Sequence, residues 1–371
     1  MGFVFDLIEK HGEHEEVLYC HNKDVGLKAI IAIHNTALGP ALGGTRMWNY
    51  KTDEEALVDV LRLSRGMTYK AAAAGLNLGG GKAVIIGDHK TQKTEGLFRA
   101  FGQYINSLNG RYITAEDVGT SEKDMEYVFM ETPWVTGISS ALGGSGDPSP
   151  FTAQGTLIGI KAATKVKLKT DNLKGLRVAV QGLGHVGYHL AHYLNKEGAQ
   201  VVVADIDQEK VKQLVSELGV KAASPEEILF QDVDVIAPCA MGAVINDQSI
   251  EKLKCKIVAG AANNQLAEPK HGQYLKDRGI LYAPDYVINA GGLINVWVEL
   301  EGYKKDRSEE MLFKIYDNLM SVFQIAEEEN ITTYAAAERM AQRRIDSIGR
   351  LKQVHQGRAT RLFSNLKVDN R

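Results

Sequence analysis

The run GLRVAVQGLGHVGYHLAHYLNKEG, residues 175–198, constrains the fold of this chain more than any other. Gly182, Gly184 and Gly187 form G-x-G-x-x-G between an apolar β-branched segment and a helical pattern. That spacing suits a tight turn, a close backbone approach to a pyrophosphate, and a helix N-terminus aimed at phosphates. AQVVVADID follows, and its Asp205 lies 23 residues after Gly182. A carboxylate there accepts from a ribose 2′-hydroxyl and repels a 2′-phosphate, which favours NAD over NADP. The alternative is a glycine-rich turn of another α/β sheet, with Asp205 as an N-cap before Gln208. The alternation continues through QEKVKQLVSELG, DVDVIAPCA, KIVAGAAN and ILYAPDYVIN, which predicts a parallel sheet covered on both faces.

Upstream, LKAIIAIHNT (27–36) and KAVIIGD (82–88) read as strands. Between them apolar residues at 57, 60, 61, 63 and 67 predict a helix ending at Gly75, and TEGLFRAFGQYINSLNG predicts a second ending at Gly110. RYITAEDVGT reads as a short strand breaking into a polar turn. GGSGDPSP (143–150) is the strongest loop signal, and a domain boundary is expected near it. After Gly292 the pattern is helical almost to the end. With 371 residues, 44% hydrophobic and 24% charged, the chain has room for two cores. The expected division is 1–145, 146–328, and C-terminal helices 329–371 returning to the first domain.

A formal net charge of −3 offers no bulk attraction to nucleic acid or to an anionic membrane. The stretch from Arg343 to Arg371, with eight Lys and Arg against two Asp, reads as a solvated or subunit-contacting tail. Cys20, Cys239 and Cys255 are widely spaced, which suits a reducing compartment and predicts neither disulfide nor metal site. The N-terminus lacks a secretory pattern, and no run approaches the roughly 18 apolar residues of a membrane span. A cytoplasmic protein is expected.

LGGGKAVIIGD (78–88) suggests a phosphate-binding loop, but that motif needs a glycine where Leu76 stands and a hydroxyl where Ala83 stands. Lys82 instead lies between glycines and a buried run. Burial and a neighbouring cation would lower its pKa toward the range of a general base. Lys70 follows Leu63 and Met67 at helical spacing, on or beside a buried face. Asp117, in TAEDVGT, could hold such a lysine or share its proton. Equally, Lys70 and Lys82 could be surface lysines, with Asp117 capping a helix over 121–130.

GPALGGTRMW (39–48), LRLSRGMTYKAAAAGLNLGGGKAVIIGD (61–88), RYITAEDVGT (111–120), VAVQGLGHVG (178–187), APCAMGAVIND (237–247), GAANNQL (260–266) and YAPDYVINAGGLINV (282–296) resemble the glutamate, leucine, phenylalanine and valine amino-acid dehydrogenases. The similarity runs from about residue 14 to about residue 348 and is strongest toward the leucine type. The resemblance implies an α/β protein: a substrate and oligomerisation domain and a Rossmann-type NAD domain, separated by a deep cleft. It implies NAD-dependent, reversible oxidative deamination of an L-amino acid to a 2-oxo acid and ammonia, in a homo-oligomer, by resemblance an octamer.

Carried over motif by motif, the resemblance makes Lys70 the ligand of the substrate carboxylate, Lys82 the residue that activates water, and Asp117 the proton relay. Gly43, Gly44, Gly79 and Gly80 would let backbone approach the substrate near Met67. Thr152, Cys239 and Ala240 would contact the nicotinamide, with the turn at Gly182, Gly184, His185, Val186 and Gly187 on the phosphates. Asn263 and Asn264 would hold cofactor or substrate. Leu42, Ala115, Leu293 and Val296 would surround the substrate side chain. Ala115-Glu116, GLNLGGGK and Asn295 follow the leucine type, which implies a branched-chain substrate. Gly81, Leu293 and the GGSGD loop are nearer the phenylalanine type, which leaves an aromatic substrate as the alternative. Trp297-Val298 departs from the family's small residue and acid. An NAD-binding sensor without catalysis is the rival of another class.

Overall fold

The computed structural model describes residues 3–352, so the tail beyond Lys352 lies outside the described residues. The chain forms two compact units. Within the described residues the first unit takes 3–147, 296–304 and 341–352, and the second takes 148–295 and 305–340.

The first unit opens with helix α1 (Phe3–His11) and builds a six-stranded mixed sheet from β1 (Glu16–Asn22), β2 (Leu27–Asn35), β3 (Ala41–Leu42), β4 (Thr45–Trp48), β5 (Gly79–Ile86) and β6 (Tyr112–Ile113). Its order is β1-β2-β5-β3-β6, with β4 also paired to β5. The β1–β2 and β2–β5 pairings are antiparallel, and the β5–β3, β3–β6 and β4–β5 pairings are parallel. β2 and β5 are buried along most of their length, which is why both read as uninterrupted apolar runs. β3 and β4 escape sequence detection because they are two and four residues long and sit either side of the Gly43-Gly44 pair.

Helix α2 (Asp53–Ala73) begins at Thr52, whose side chain accepts from the Glu55 amide, and three acids in its first turn complement the helix dipole. Its buried face differs slightly from the expected one. Leu57, Val60 and Leu61 are buried as predicted, but the face continues through Ser64 and Thr68, while Leu63 and Met67 are only half-buried. The reason is a close approach to β5: a Cβ on Gly80 would lie 2.1 Å from the Thr68 amide nitrogen and 2.6 Å from the Ser64 carbonyl oxygen. Small residues are required on both sides. The two hydroxyls are satisfied by buried histidines, Ser64 by His14 Nε2 at 2.8 Å and Thr68 by His34 Nδ1 at 2.8 Å. On the opposite face, α3 (Glu95–Ser107) and α4 (Glu122–Phe129) close over Phe98, Phe101, Tyr112 and Met125.

The second unit begins with α5 (Ser149–Leu168) and continues with β7 (Arg177–Gln181), α6 (His185–Lys196), β8 (Gln200–Ala204), α7 (Gln208–Leu218), β9 (Lys221–Ala222), β10 (Val235–Pro238), β11 (Ile257–Val258) and β12 (Leu281–Tyr282). The strands form one parallel sheet in the order β12-β11-β10-β7-β8-β9. The chain starts in the middle and winds outward both ways, so the end of β7 is the topological switch point at which doubly wound sheets bind ligands. β9 is two exposed residues and carries no apolar signal.

The C-terminal part is helical over Gly291–Leu300, Lys305–Leu312, Lys314–Glu328 and Thr333–Lys352. The chain visits the first unit at 296–304 and returns to it finally at residue 341, whereas the sequence reading places that return at 329; between the two, these helices cover the second core. Ile315 and Leu319 pack where Gly155 and Gly159 leave α5 bare, and Tyr334 packs against the core beneath the parallel sheet. Arg344 then donates to the carbonyls of Gly75 and Leu76 in the first unit.

The His14–His34 pair makes this core pH-sensitive. Burial pushes both imidazoles down to about 4, so both are neutral in the folded protein at pH 7. As pH falls from 6.5 toward 4, the unfolded chain takes up protons that the folded chain refuses, and stability is lost through that window. Each histidine should contribute on the order of 1–3 kcal/mol to this loss. Calorimetry from pH 7.5 to 4.5 should show a falling Tm, and His34→Asn should flatten the slope; a wild-type Tm constant from pH 6.5 to 4.5 contradicts the assignment.

Candidate active site

Lys82 sits at the middle of β5 on the face turned to α2, the side that Gly80 and Val84 also face. Its side chain is 6% exposed, and its ammonium lies 3.1 Å from Asp117 Oδ2. Asp117 reaches it from the turn after β6. That turn is held on β4: the Thr45 amide donates to the Ala115 carbonyl, Met47 donates to the Val118 carbonyl, and Thr120 Oγ1 donates to the Thr45 carbonyl at 2.8 Å. The turn closes on itself, with the Asp117 amide donating to Thr120 Oγ1 at 2.9 Å. Asp117 is therefore no helix cap. Ser121 caps α4 in a capping box with Asp124.

Burial lowers the Lys82 pKa, Asp117 opposes that shift, and the Arg46 guanidinium adds to it. Burial by itself raises Asp117, but Lys82 and Arg46 together hold its carboxyl below the usual carboxylate range. The pair is thus an ionised carboxylate beside an amine that gives up its proton more readily than a solvated lysine does. Such a group can accept a proton during a reaction.

Arg46, Asp59 and Tyr50 were missed from sequence. Arg46 Nε lies 3.0 Å from Asp117 Oδ2 and its Nη1 lies 3.0 Å from Asp59 Oδ2, to which the Tyr50 hydroxyl donates at 2.6 Å. Arg46 stands inside the GPALGGTRMW motif, but no spacing links it to a carboxylate 71 positions later. Tyr112 was also missed: fully buried, it donates to the Gly43 carbonyl at 2.5 Å.

The structure changes the meaning of the glycines. A Cβ on Gly43 would stand 1.8 Å from the Gly81 carbonyl oxygen, one on Gly44 2.3 Å from that of Glu116, and one on Gly79 2.1 Å from that of Asn35. Packing alone requires glycine at these positions and at Gly80. LGGGK is strand, not loop, and makes no phosphate cradle. Leu42 is buried, paired across the sheet with Gly80 and Ile113, Ala115 and Met67 are half-buried, and Met67 approaches Gly43. Lys70 lies in the last turn of α2, half-buried. Val296 is buried in the stretch 296–304 that joins this unit.

The second unit carries a separate constellation at the switch point. Gly182 has φ +93°, a conformation that favours glycine, and a Cβ there would meet Ala240 at 2.6 Å. A Cβ on Gly187 would lie 1.9 Å from the Gly182 carbonyl oxygen, so α6 abuts the turn. Gly184, the N-cap of α6, faces open space, with nothing within 4 Å of its Cβ direction. The first turn of α6, from His185 and Val186, has no side-chain cap hydrogen bond, and a helix start of that kind suits an anion such as a pyrophosphate. Asp205 directly follows β8 and accepts from the Leu183 amide at 2.5 Å and the Asp207 amide at 2.8 Å. Asp207, not Asp205, caps α7. The donor set and the open glycine turn fit a nicotinamide dinucleotide.

Around this turn the Cys239 amide donates to the Gln181 carbonyl at 2.7 Å, and Ala240 is exposed. Burial pushes the Cys239 thiol up to about 12, so no thiolate chemistry is built here. Asn263 and Asn264 are exposed, and Asn263 Oδ1 accepts from the buried Asn289 at 2.7 Å, a partner the sequence reading did not identify. Thr152 lies in the first turn of α5 beside Gly292, and Leu293 is buried on the helix that starts at Gly291.

Comparison with known proteins agrees with both halves. Residues 14–134 match the family model of the Glu/Leu/Phe/Val dehydrogenase dimerisation domain, and residues 143–208 and 204–351 match that of the glutamate/leucine/phenylalanine/valine dehydrogenases. Leucine dehydrogenase of Geobacillus stearothermophilus is 57% identical, over 93% of this chain and 94% of its own. Phenylalanine dehydrogenase of Bacillus thermotolerans is 48% identical, over 95% and 94%. The crystal structure of L-tryptophan dehydrogenase from Nostoc punctiforme superposes with a TM-score of 0.83 at 46% identity, covering 93% of this chain and 99% of that one. A buried lysine–aspartate pair on one unit, a dinucleotide turn on the other, and these matches over nearly the whole chain establish that it belongs to the Glu/Leu/Phe/Val family of amino-acid dehydrogenases.

Proposed function

We propose that the chain is an NAD-dependent dehydrogenase that converts branched-chain L-amino acids, L-leucine foremost with L-valine and L-isoleucine, reversibly to the 2-oxo acid and ammonia. The observation that carries this is the Lys82 ammonium, 6% exposed and 3.1 Å from Asp117. Burying an ammonium costs several kcal/mol before its partner compensates. A sensor that only bound the dinucleotide would gain nothing from that arrangement.

The bound cofactor supplies a hydride acceptor for the substrate Cα. Loss of that hydride leaves an iminium carbon open to water. Neutral Lys82 takes a proton from the water as its oxygen bonds to that carbon. Asp117 relays that proton from Lys82 to the nitrogen, the hydroxyl gives its own proton back to the neutral amine of Lys82 as the C–N bond breaks, and ammonia leaves as the carbonyl forms. Lys70 binds the substrate carboxylate, a charge-assisted contact that orients the reacting carbon. Thr152, Cys239, Ala240 and Asn263 hold the nicotinamide end, Asn264 contacts the substrate, the turn from Gly182 to Gly187 holds the phosphates, and Asp205 selects the 2′-hydroxyl of NAD.

Leu42, Ala115, Leu293 and Val296 form the apolar pocket for the substrate side chain in this reading. The aliphatic choice rests on Ala115-Glu116 and on 57% identity to a leucine dehydrogenase against 48% to a phenylalanine dehydrogenase. Gly81 is no argument for an aromatic substrate, because its Cβ would stand 2.7 Å from the Tyr112 ring, on the sheet face opposite Lys82. Trp297 and Val298 are buried. The dimerisation-domain match supports a homo-oligomer, and by resemblance we take it as an octamer. Among the described residues no helix is long and apolar enough to cross a membrane. We place the enzyme in the cytoplasm, in keeping with three free cysteines.

Three measurements test this reading. Lys82→Ala should lower kcat by about a hundredfold or more while NAD still binds, because a lost general base is worth that much; unchanged turnover removes Lys82 from the mechanism. Oxidative deamination should rise with pH as Lys82 loses its proton, on a limb below the ordinary lysine range, since burial favours the neutral amine; a flat profile from pH 7 to 11 contradicts the base. L-Leucine should exceed L-phenylalanine in kcat/KM by roughly tenfold or more, and the reverse order assigns the pocket to an aromatic side chain.

A further inference from the structure

We propose that Arg46 is a positioning residue of this site: its guanidinium bridges Asp59 on α2 to Asp117, fixes that carboxylate against Lys82, and sets a permanent cation beside the amine. The inference rests on the reading of Lys82 as the base. Lys82 and Arg46 meet the same Asp117 oxygen, Oδ2, at 3.1 and 3.0 Å. Arg46 and Tyr50 likewise meet one oxygen of Asp59, at 3.0 and 2.6 Å. The result is a chain of alternating charge, Lys82–Asp117–Arg46–Asp59, ending on a neutral phenol. It draws on β5, the turn after β6, β4, α2 and the loop at residue 50.

Two features make Arg46 more than a surface ion pair. Its side chain is only 23% exposed, and those of Asp59 and Asp117 are 29% and 25% exposed, so solvent screens the cluster weakly. Its fork is also rigid. Nε and Nη1 hold two carboxylates in a fixed relation, which a lysine at the same place cannot do. Asp117 sits in a turn, where a carboxylate would otherwise sample several rotamers. Arg46 ties it to a strand and, through Asp59, to a helix.

The charge arithmetic gives the direction of its influence. The charged groups facing Lys82 are Asp117 from the turn, Arg46 from β4 and Asp59 from α2, with Tyr50 on the last; β2 sets Ala32 opposite. Two anions favour the protonated amine and Arg46 opposes them. Removing Arg46 leaves both anions unopposed, so the amine holds its proton to higher pH. Removing the charge of Asp59 has the opposite effect, and a smaller one, because that residue acts from beyond Arg46.

The test uses Arg46→Gln, Arg46→Lys and Asp59→Asn in the full chain. The acid limb of kcat/KM for oxidative deamination is measured, together with the pH dependence of Lys82 labelling by pyridoxal 5′-phosphate and borohydride, read by peptide mass spectrometry. Arg46→Gln should move both curves to higher pH and lower kcat by roughly tenfold or more, the scale of a mispositioned group. Arg46→Lys should lower kcat while leaving the curves close to wild type. Asp59→Asn should move the curves to lower pH. A merely structural stitch between β4 and α2 predicts a lowered Tm without opposed pH shifts. Curves that move the same way in Arg46→Gln and Asp59→Asn, or do not move, overturn the proposal. If Arg46→Gln shows no folding transition, Arg46→Lys against Asp59→Asn decides on the same criteria. If wild-type protein turns over no amino acid, the functional reading fails, while the labelling curves still test Arg46.

Discussion

A buried ammonium needs a counter-charge within hydrogen-bonding reach, and much of the first unit is arranged around that need. Lys82 sits in a strand whose neighbours are apolar or glycine, so no solvent stabilises it. Its carboxylate must come from outside the sheet, and the turn after β6 brings it. That turn lies where it does because Thr45, Met47 and Thr120 hydrogen-bond β4 to its backbone. Gly44 and Gly119 allow the approach, since a Cβ on either would collide with a carbonyl oxygen, at 2.3 Å and 2.0 Å. The ion pair and the glycines are parts of one device: close backbone packing places the charge.

The second unit solves a different problem by similar means. In the proposed reading a pyrophosphate brings two negative charges there, and a parallel α/β sheet would meet them with backbone amides at the start of a helix rather than with side chains. Gly182 makes the turn and Gly187 lets the helix close on it, while Gly184 leaves the approach open. Asp205 does more than its expected role suggests. By accepting from Leu183 and Asp207 it braces the glycine turn and the start of the next turn, so the carboxylate is already held in place.

Sequence reading succeeded where one stretch of chain carries its own physics. The strands at 27–36 and 82–88, the helix from Asp53, and the alternation from Gly175 each follow from periodicity and local caps. It failed for β3, β4 and β9, which are too short for a period to register and exist because neighbours pair with them. It misread the face of α2 at Leu63 and Met67, because the approach of Gly80 and the paired histidines decided which residues were covered. The site was legible in part. Lys82 stood out as a charge in an apolar run, and Asp117 as an acid at a strand end, but their meeting was an inference.

The chain's own sequence therefore determined a doubly wound dinucleotide fold, a buried lysine and the family to which both belong, since each depends on residue types at short, fixed separations. Tertiary structure alone decided that Asp117 pairs with Lys82, that Arg46 and Asp59 extend the pair, and that the glycines serve packing. The contacts of Arg46 alone join residues 13 and 71 positions apart, and no local rule relates them. They exist only where two strands, a turn and a helix converge, because a charge removed from water accepts whichever partner the fold brings within 3 Å.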